Sequence, residues 1–180
     1  NKIIYIFILL FYTCSFRTIG NNANHININD TSLQDKIAQM IMVRIDGKFH
    51  NINSWQKKHI EDLIENYSIG GMITFSGNVH GTYENIKYYQ NISNIPMFVA
   101  SDYERGLGVF INGTLFPSNM AIAATQDTVN AYLQGSITSL EAKSIGVNMI
   151  LAPVLDINNN KNNPIINFRS YSDIPETVTS

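Results

Sequence analysis

At 180 residues, with 44% apolar and 14% charged side chains, the chain carries enough apolar content for one globular core. A formal net charge of -2, with no basic run longer than Lys57-Lys58, argues against nucleic acid or an anionic membrane surface as partner. The single cysteine, Cys14, excludes an intrachain disulfide. His25, His50, His59 and His80 lack metal-ligand spacing, so neither a zinc site nor any other cofactor is expected.

Lys2 precedes residues 3–12, IIYIFILLFY, an unbroken apolar run too short to span a bilayer. Thr13, Cys14, Ser15 and Gly20 follow, so residues 1–20 read as a secretory signal peptide and the protein as secreted or periplasmic. Lipidation at Cys14 is the alternative and the only route to a membrane, although Tyr12 and Thr13 suit that cleavage poorly. Residues 21–30, NNANHININD, form a polar linker, which argues against a buried N-terminal helix. The domain proper is expected over residues 31–180, and the absence of an initiator Met at Asn1 suggests an incomplete reading frame.

Ser32 with Asp35 resembles a capping box, and Leu33, Ile37, Met40 and Ile41 give a helical stripe. Residues 42–45 read as the first strand. Ser54 caps a second helix with Trp55, Ile60, Leu63, Ile64 and Tyr67 on one face, which Gly70-Gly71 ends before a second strand at 72–75. Thr82 is expected to cap a helix to about Ser93, with Tyr83, Tyr88 and Tyr89 as core or rim packing, and residues 97–101 are the third strand. A loop bearing Gly113 and Pro117 leads to Thr125 or Asp127 as cap of a long helix. Its expected inward face is Val129, Tyr132, Leu133, Ile137, Leu140 and Ile145, with Gly146 just past its end. Residues 147–155 are the fourth strand, and Pro175 opens a final helix.

Strands alternating with helices imply an α/β fold with a parallel sheet and right-handed crossovers. Four such βα units make half of a (β/α)8 TIM-type barrel, which needs roughly 250 residues in full. A complete four-stranded doubly wound domain is the competing architecture, but no GxGxxG turn or phosphate loop follows the first strand.

In parallel α/β proteins ligands sit at the carboxyl ends of strands. Asp102 stands at that point after the third strand, with Glu104 two residues on and Gly106 and Gly108 behind it. Asp156 closes the fourth apolar stretch, and Arg169 follows in an Asn-rich loop. Asp156 reads equally as a cap for the turn at 158–160, and Glu104 with Arg105 equally as a solvated pair.

Six segments in order carry a resemblance. They are residues 36–40 (KIAQM), 70–75 (GGMITF), 101–106 (SDYERG), 116–121 (FPSNMA), 152–156 (APVLD) after Glu141-Ala142, and 163–171 (NPIINFRSY). Together they resemble the N-terminal barrel domain of glycoside hydrolase family three, on its β-N-acetylhexosaminidase branch. The resemblance implies a retaining exo-glycosidase that removes a terminal N-acetylglucosamine-type sugar. It implies that Asp102 and Arg169 bind that sugar and that Glu104 and Asp156 brace the pocket. Two departures stand out: Arg105 occupies a position that is commonly glycine, and Phe110 lies about where a second sugar-binding arginine is common.

Retaining hydrolysis needs a nucleophile and an acid/base. On the resembled branch these are an aspartate after a late strand and a histidine held by an aspartate on a mobile loop. No segment here matches either, and no histidine follows His80. The expectation is therefore a fragment that holds part of a sugar clamp and is inactive by itself. A β-glucosidase of the same family and a sugar-binding remnant without catalysis are the competing functions.

Overall fold

The computed structural model describes residues 30–180. The expected signal peptide, nearly all of the linker and Cys14 lie outside the described residues. Six helices and four strands follow in order: α1 (Leu33–Ala38), β1 (Met42–Gly47), α2 (Trp55–Glu65), β2 (Gly71–Gly77), α3 (Val79–Ile92), β3 (Phe98–Ser101), α4 (Asn119–Ala123), α5 (Thr128–Ser144), β4 (Met149–Ile150) and α6 (Pro175–Thr179).

The strands form one parallel sheet in the order β1-β2-β3-β4. Gly71 pairs with both Met42 and Phe98, and Ala100 pairs with Met149. A doubly wound sheet reverses its strand order at a switch point, whereas a barrel adds each strand beside the last. The unbroken order therefore makes these four βα units of barrel type. The apolar core lies between the sheet and α2, α3 and α5, with Ile45, Met72 and Val99 packed against Ile64, Ile86 and Ala142.

Local chemistry sets the element starts. Ser32, Ser54 and Asp127 cap α1, α2 and α5 through their side-chain oxygens. The start of α3 differs from expectation. Asn78 is its cap, accepting from the Gly81 amide at 2.7 Å, while Thr82 is buried inside the first turn and donates to the Gly47 carbonyl. The fourth strand pairs only over Met149–Ile150, because its partner β3 ends at Ser101.

Two apolar stripes turn outward rather than inward. On α1 only Ala38 is buried, and Leu33 and Ile37, with Met40 and Ile41 just past the helix, are exposed. On α5 the buried residues are Gln134, Thr138 and Ala142, while Val129, Tyr132, Leu133, Ile137 and Leu140 face away; Ile145, just past the helix, is buried as expected. The small and polar face of α5 lies inward because Ala142 joins the core and Gln134 reaches the loop after β3. Trp55 of α2 and Tyr67 just past its end are likewise exposed, whereas Ile60 and Ile64 are buried. Of the tyrosines read as packing, Tyr89 is buried, and Tyr83, Tyr88 and Tyr132 are exposed.

The loop after β1 is tied to α3. Asn85 donates to the carbonyls of Asp46 and Lys48, and accepts from the His50 amide. His50 Nδ1 lies 2.8 Å from the hydroxyl of buried Tyr89. Burial pushes the His50 pKa below its ordinary 6.5, Asp46 opposes that shift, and Lys57 adds to it. Between the folded and unfolded values the unfolded chain then binds more protons, so stability falls as pH drops below about 6.5. Calorimetric melts from pH 7.5 to 5 are expected to trace that fall, and His50→Gln is expected to flatten it. An equal slope in the variant would remove His50 as its source.

Candidate functional site: a carboxylate and arginine cluster at the strand tips

β3 is the most enclosed strand, with Val99, Ala100 and Ser101 all buried. Asp102 therefore emerges from the core into a half-buried position at the strand's carboxyl end. Its carboxylate accepts no hydrogen bond from any described residue. Burial raises its pKa above the usual carboxylate range, repulsion from Glu104 raises it further, and Arg169 pulls it back.

The chain then turns at Gly106, whose φ of 83° lies in the left-handed region. A Cβ there would sit 2.4 Å from the Thr114 carbonyl oxygen. The turn hands Arg105 to the returning loop: its Nε donates to the Phe116 carbonyl at 3.1 Å, and the Phe116 amide returns a bond to the Arg105 carbonyl at 2.9 Å. Glu141 of α5 accepts from the amide and hydroxyl of Thr114, which clamps the same loop.

Glu104 points the other way, and the solvated Glu104–Arg105 pair does not form. Glu104 accepts from Arg169 Nε at 3.2 and 2.9 Å through its two oxygens, and Arg169 Nη2 binds Oε1 as well. Fork-on-carboxylate geometry fixes the plane of the guanidinium. Glu104 is the more enclosed partner, with 14% of its side chain exposed against 35% for Arg169. The bond to Glu104 holds Arg169 still more firmly protonated than usual; desolvation opposes this, and the charges of Glu104, Asp102 and Asp156 reinforce it.

The four residues singled out from the sequence thus share one electrostatic neighbourhood. Glu104 and Arg169 touch, Asp102 lies within their field, and Asp156 acts on Arg169 from an exposed position. The Asp156 carboxylate accepts no bond from the turn at 158–160, so it does not cap it. Its backbone carbonyl lies 2.5 Å from Oγ of the fully buried Ser170, which ties the Arg169 loop to the exit of β4.

Phe110 meets Phe75 edge-on at 5.7 Å between ring centroids and Tyr103 at 6.4 Å. The position where a second arginine is common is therefore part of an aromatic wall. Three contributors escaped the sequence reading. Asn119 and Gln134 reach the backbones of Arg169 and Glu104, and Ser170 stitches the loop. Asn119 lay in the FPSNMA segment and Ser170 in the NPIINFRSY segment, which were the available signals; an inward Gln on an apolar helix was not one. A separate hollow of about 230 Å³, lined by Arg44, Asp46, His50, Trp55 and His59 among others, sits beside β1, which pairs on one side only among the described residues. It shares no residue with the cluster. No group of three His, Cys, Asp or Glu side chains among the described residues is arranged to hold a metal, and none of their helices is long and apolar enough to cross a membrane.

Sequentially ordered parallel strands, with acids and an arginine gathered on the loops at their carboxyl ends, define a barrel-type α/β domain whose candidate ligand site lies where such domains hold theirs. The profile of the glycosyl hydrolase family 3 N terminal domain matches residues 32–180, and the chain belongs to that family. It is 39% identical over 134 residues to "Beta-hexosaminidase A" of Pseudoalteromonas piscicida, across 67% of this chain and 22% of that protein. It is 27% identical over 119 residues to "Beta-N-acetylglucosaminidase/beta-glucosidase" of Cellulomonas fimi, across 66% of this chain and 21% of that protein. The solved family 3 β-N-acetylglucosaminidase of Paenibacillus sp. FPU-7 superposes with a TM-score of 0.72 at 30% identity, across 82% of this chain and 29% of that one. The chain thus spans less than a third of the length of these relatives.

Proposed function

We propose that this chain supplies part of the sugar-gripping wall of an exo-acting, retaining β-N-acetylhexosaminidase whose bond-breaking groups lie in the rest of the full-length protein. One observation carries the reading: Asp102 is half-buried at a strand tip, has no hydrogen-bond donor among the described residues, and lies in the field of a guanidinium whose orientation Glu104 fixes. A carboxylate desolvated without a partner is costly, and hydroxyl donors of a ligand relieve that cost. Adjacent sugar hydroxyls both donate and accept, so a carboxylate beside an arginine matches them. The names of the β-hexosaminidase and β-N-acetylglucosaminidase relatives support an N-acetylglucosamine-type ring. The relative named for both β-N-acetylglucosaminidase and β-glucosidase supports glucosides as the second substrate class.

Export belongs to the same proposal, since residues 1–20 read as a signal peptide and Cys14 as the alternative lipid anchor. The test is hydrolysis of a chromogenic N-acetylglucosaminide and the matching glucoside by the full-length protein, assayed in medium, envelope and cytoplasmic fractions. Faster release from the N-acetylglucosaminide, outside the cytoplasm, is expected. No release from either substrate would overturn the glycosidase reading, and a cytoplasmic location would overturn export.

A further inference from the structure

Beneath the cluster lies a pair of buried amides that the sugar clamp itself does not use. Asn119 is 1% exposed and Gln134 6%. Asn119 is the first residue of α4, set by the Ser118 cap. Its Nδ2 donates to the Arg169 carbonyl at 2.7 Å. Gln134, on the inward face of α5, donates from Nε2 to the Glu104 carbonyl at 2.8 Å and lies 3.5 Å from Asn119 Oδ1. The amides therefore form one chain. It runs from the Glu104 backbone through Gln134 and Asn119 to the Arg169 backbone, joining the main chains beneath two side chains 65 residues apart.

We propose that Asn119 and Gln134 are positioning residues that hold the Glu104–Arg169 pair in register beside Asp102. This rests on the saccharide-clamp reading above. Side-chain contact between Glu104 and Arg169 fixes their orientation to each other but not to Asp102. Arg169 sits on a short 3-10 turn, Asn167–Arg169, and Glu104 on an irregular loop, so neither backbone has a long helix or strand to locate it. The relay supplies that location from α4 and α5.

The choice of residues also speaks for position over packing. A buried amide is costly unless every polar atom is matched, and Gln134 Oε1 has no partner among the described residues. A core selected for stability alone favours an apolar side chain there. Gln134 instead turns its donor onto the one carbonyl that belongs to Glu104.

The test uses Asn119→Leu and Gln134→Met in the full-length protein, each close in shape to the parent residue and without the donor. In each variant KM for the chromogenic N-acetylglucosaminide is expected to rise roughly tenfold with kcat within about twofold, the pattern of lost substrate binding. The melting temperature is expected to move by only a few degrees. A merely structural role gives the opposite split: a smaller folded fraction lowers apparent kcat and leaves KM alone. That result in both variants, or parental constants in both, overturns the proposal. Backbone hydrogen exchange gives a readout independent of activity. Peptides covering residues 102–106 and 165–171 are expected to exchange faster together in either variant, while the peptides of α2 and α3 do not change. If the parent shows no glycosidase activity, the clamp reading falls, and exchange alone decides the relay: joint acceleration supports it and parental exchange overturns it. If Asn119→Leu does not fold, Gln134→Met carries the same measurements.

Discussion

Asp102→Ala and Arg169→Ala are each expected to lower the kcat/KM proposed for the full-length protein by roughly 10²–10⁴-fold, with opposite effects on stability. Each side chain offers a ligand up to two charge-assisted hydrogen bonds, worth about 1.5–3 kcal/mol apiece, and about 1.4 kcal/mol is tenfold. Removing Arg169 also leaves Glu104, with 14% of its side chain exposed, without the guanidinium that pairs it and in repulsion with Asp102. That variant is expected to melt lower, because a buried charge without its partner is destabilising. Lysine does not restore the site, since an ammonium cannot bridge both Glu104 oxygens as the guanidinium does. Asp102 is the reverse case. Its folded pKa is raised, so the folded chain holds the proton more tightly than the unfolded chain, and the ionised carboxylate opposes folding at neutral pH. Asp102→Asn is expected to melt at or above the parent while losing activity. The checks are steady-state kinetics on the N-acetylglucosaminide and thermal melts at pH 7. Parental kcat/KM in Asp102→Ala would remove it from the sugar site.

Asp102 stood out as a candidate because the end of its strand is marked twice in the sequence. An apolar run stops at a carboxylate, and a glycine follows within a few residues, as at Asp102 and Gly106. The strands were readable for the same reason, since β1, β2 and β3 lie within two residues of the expected positions. What the residues could not reveal was which partner each acid takes. Glu104 has Arg105 beside it in sequence, yet a left-handed glycine turns Arg105 onto Phe116 and frees Glu104 for Arg169. Helix faces were misread where periodicity was a poor guide. The apolar residues of α5 mark one face, but the inward face carries Gln134, Thr138 and Ala142, of which Ala142 joins the core and Gln134 reaches the Glu104 carbonyl. Helix α4, five residues long, is too short for any period to register, and it carries Asn119.

Gly70→Ala is expected to cost about 3–5 kcal/mol, at the severe end for a single added methyl group. Gly70 is buried where the chain passes from α2 into β2. Its amide donates toward the carbonyls of Ala38 and Ile41, both at 3.1 Å, and its own carbonyl accepts from Phe98 at 3.0 Å. These bonds draw the backbone against the end of α1 on one side and against β3 on the other. A Cβ at Gly70 would lie 1.8 Å from the Gln39 carbonyl oxygen and 2.9 Å from its Cα. Those atoms are backbone and cannot rotate aside, so either the α1–β1 junction or the β2–β3 register must move. Since a 150–250-residue protein loses about 2–4 °C per kcal/mol, a fall of roughly 6–20 °C is expected. Gly135→Ala is the matched control. Gly135 is exposed within α5 and has no atom within 4 Å of an added Cβ, so alanine there gains helix propensity without contact. It is expected to raise stability by about 0.5–1 kcal/mol. Paired melts decide the matter: if the two variants shift alike, the close approach at Gly70 is not what holds the first two βα units together.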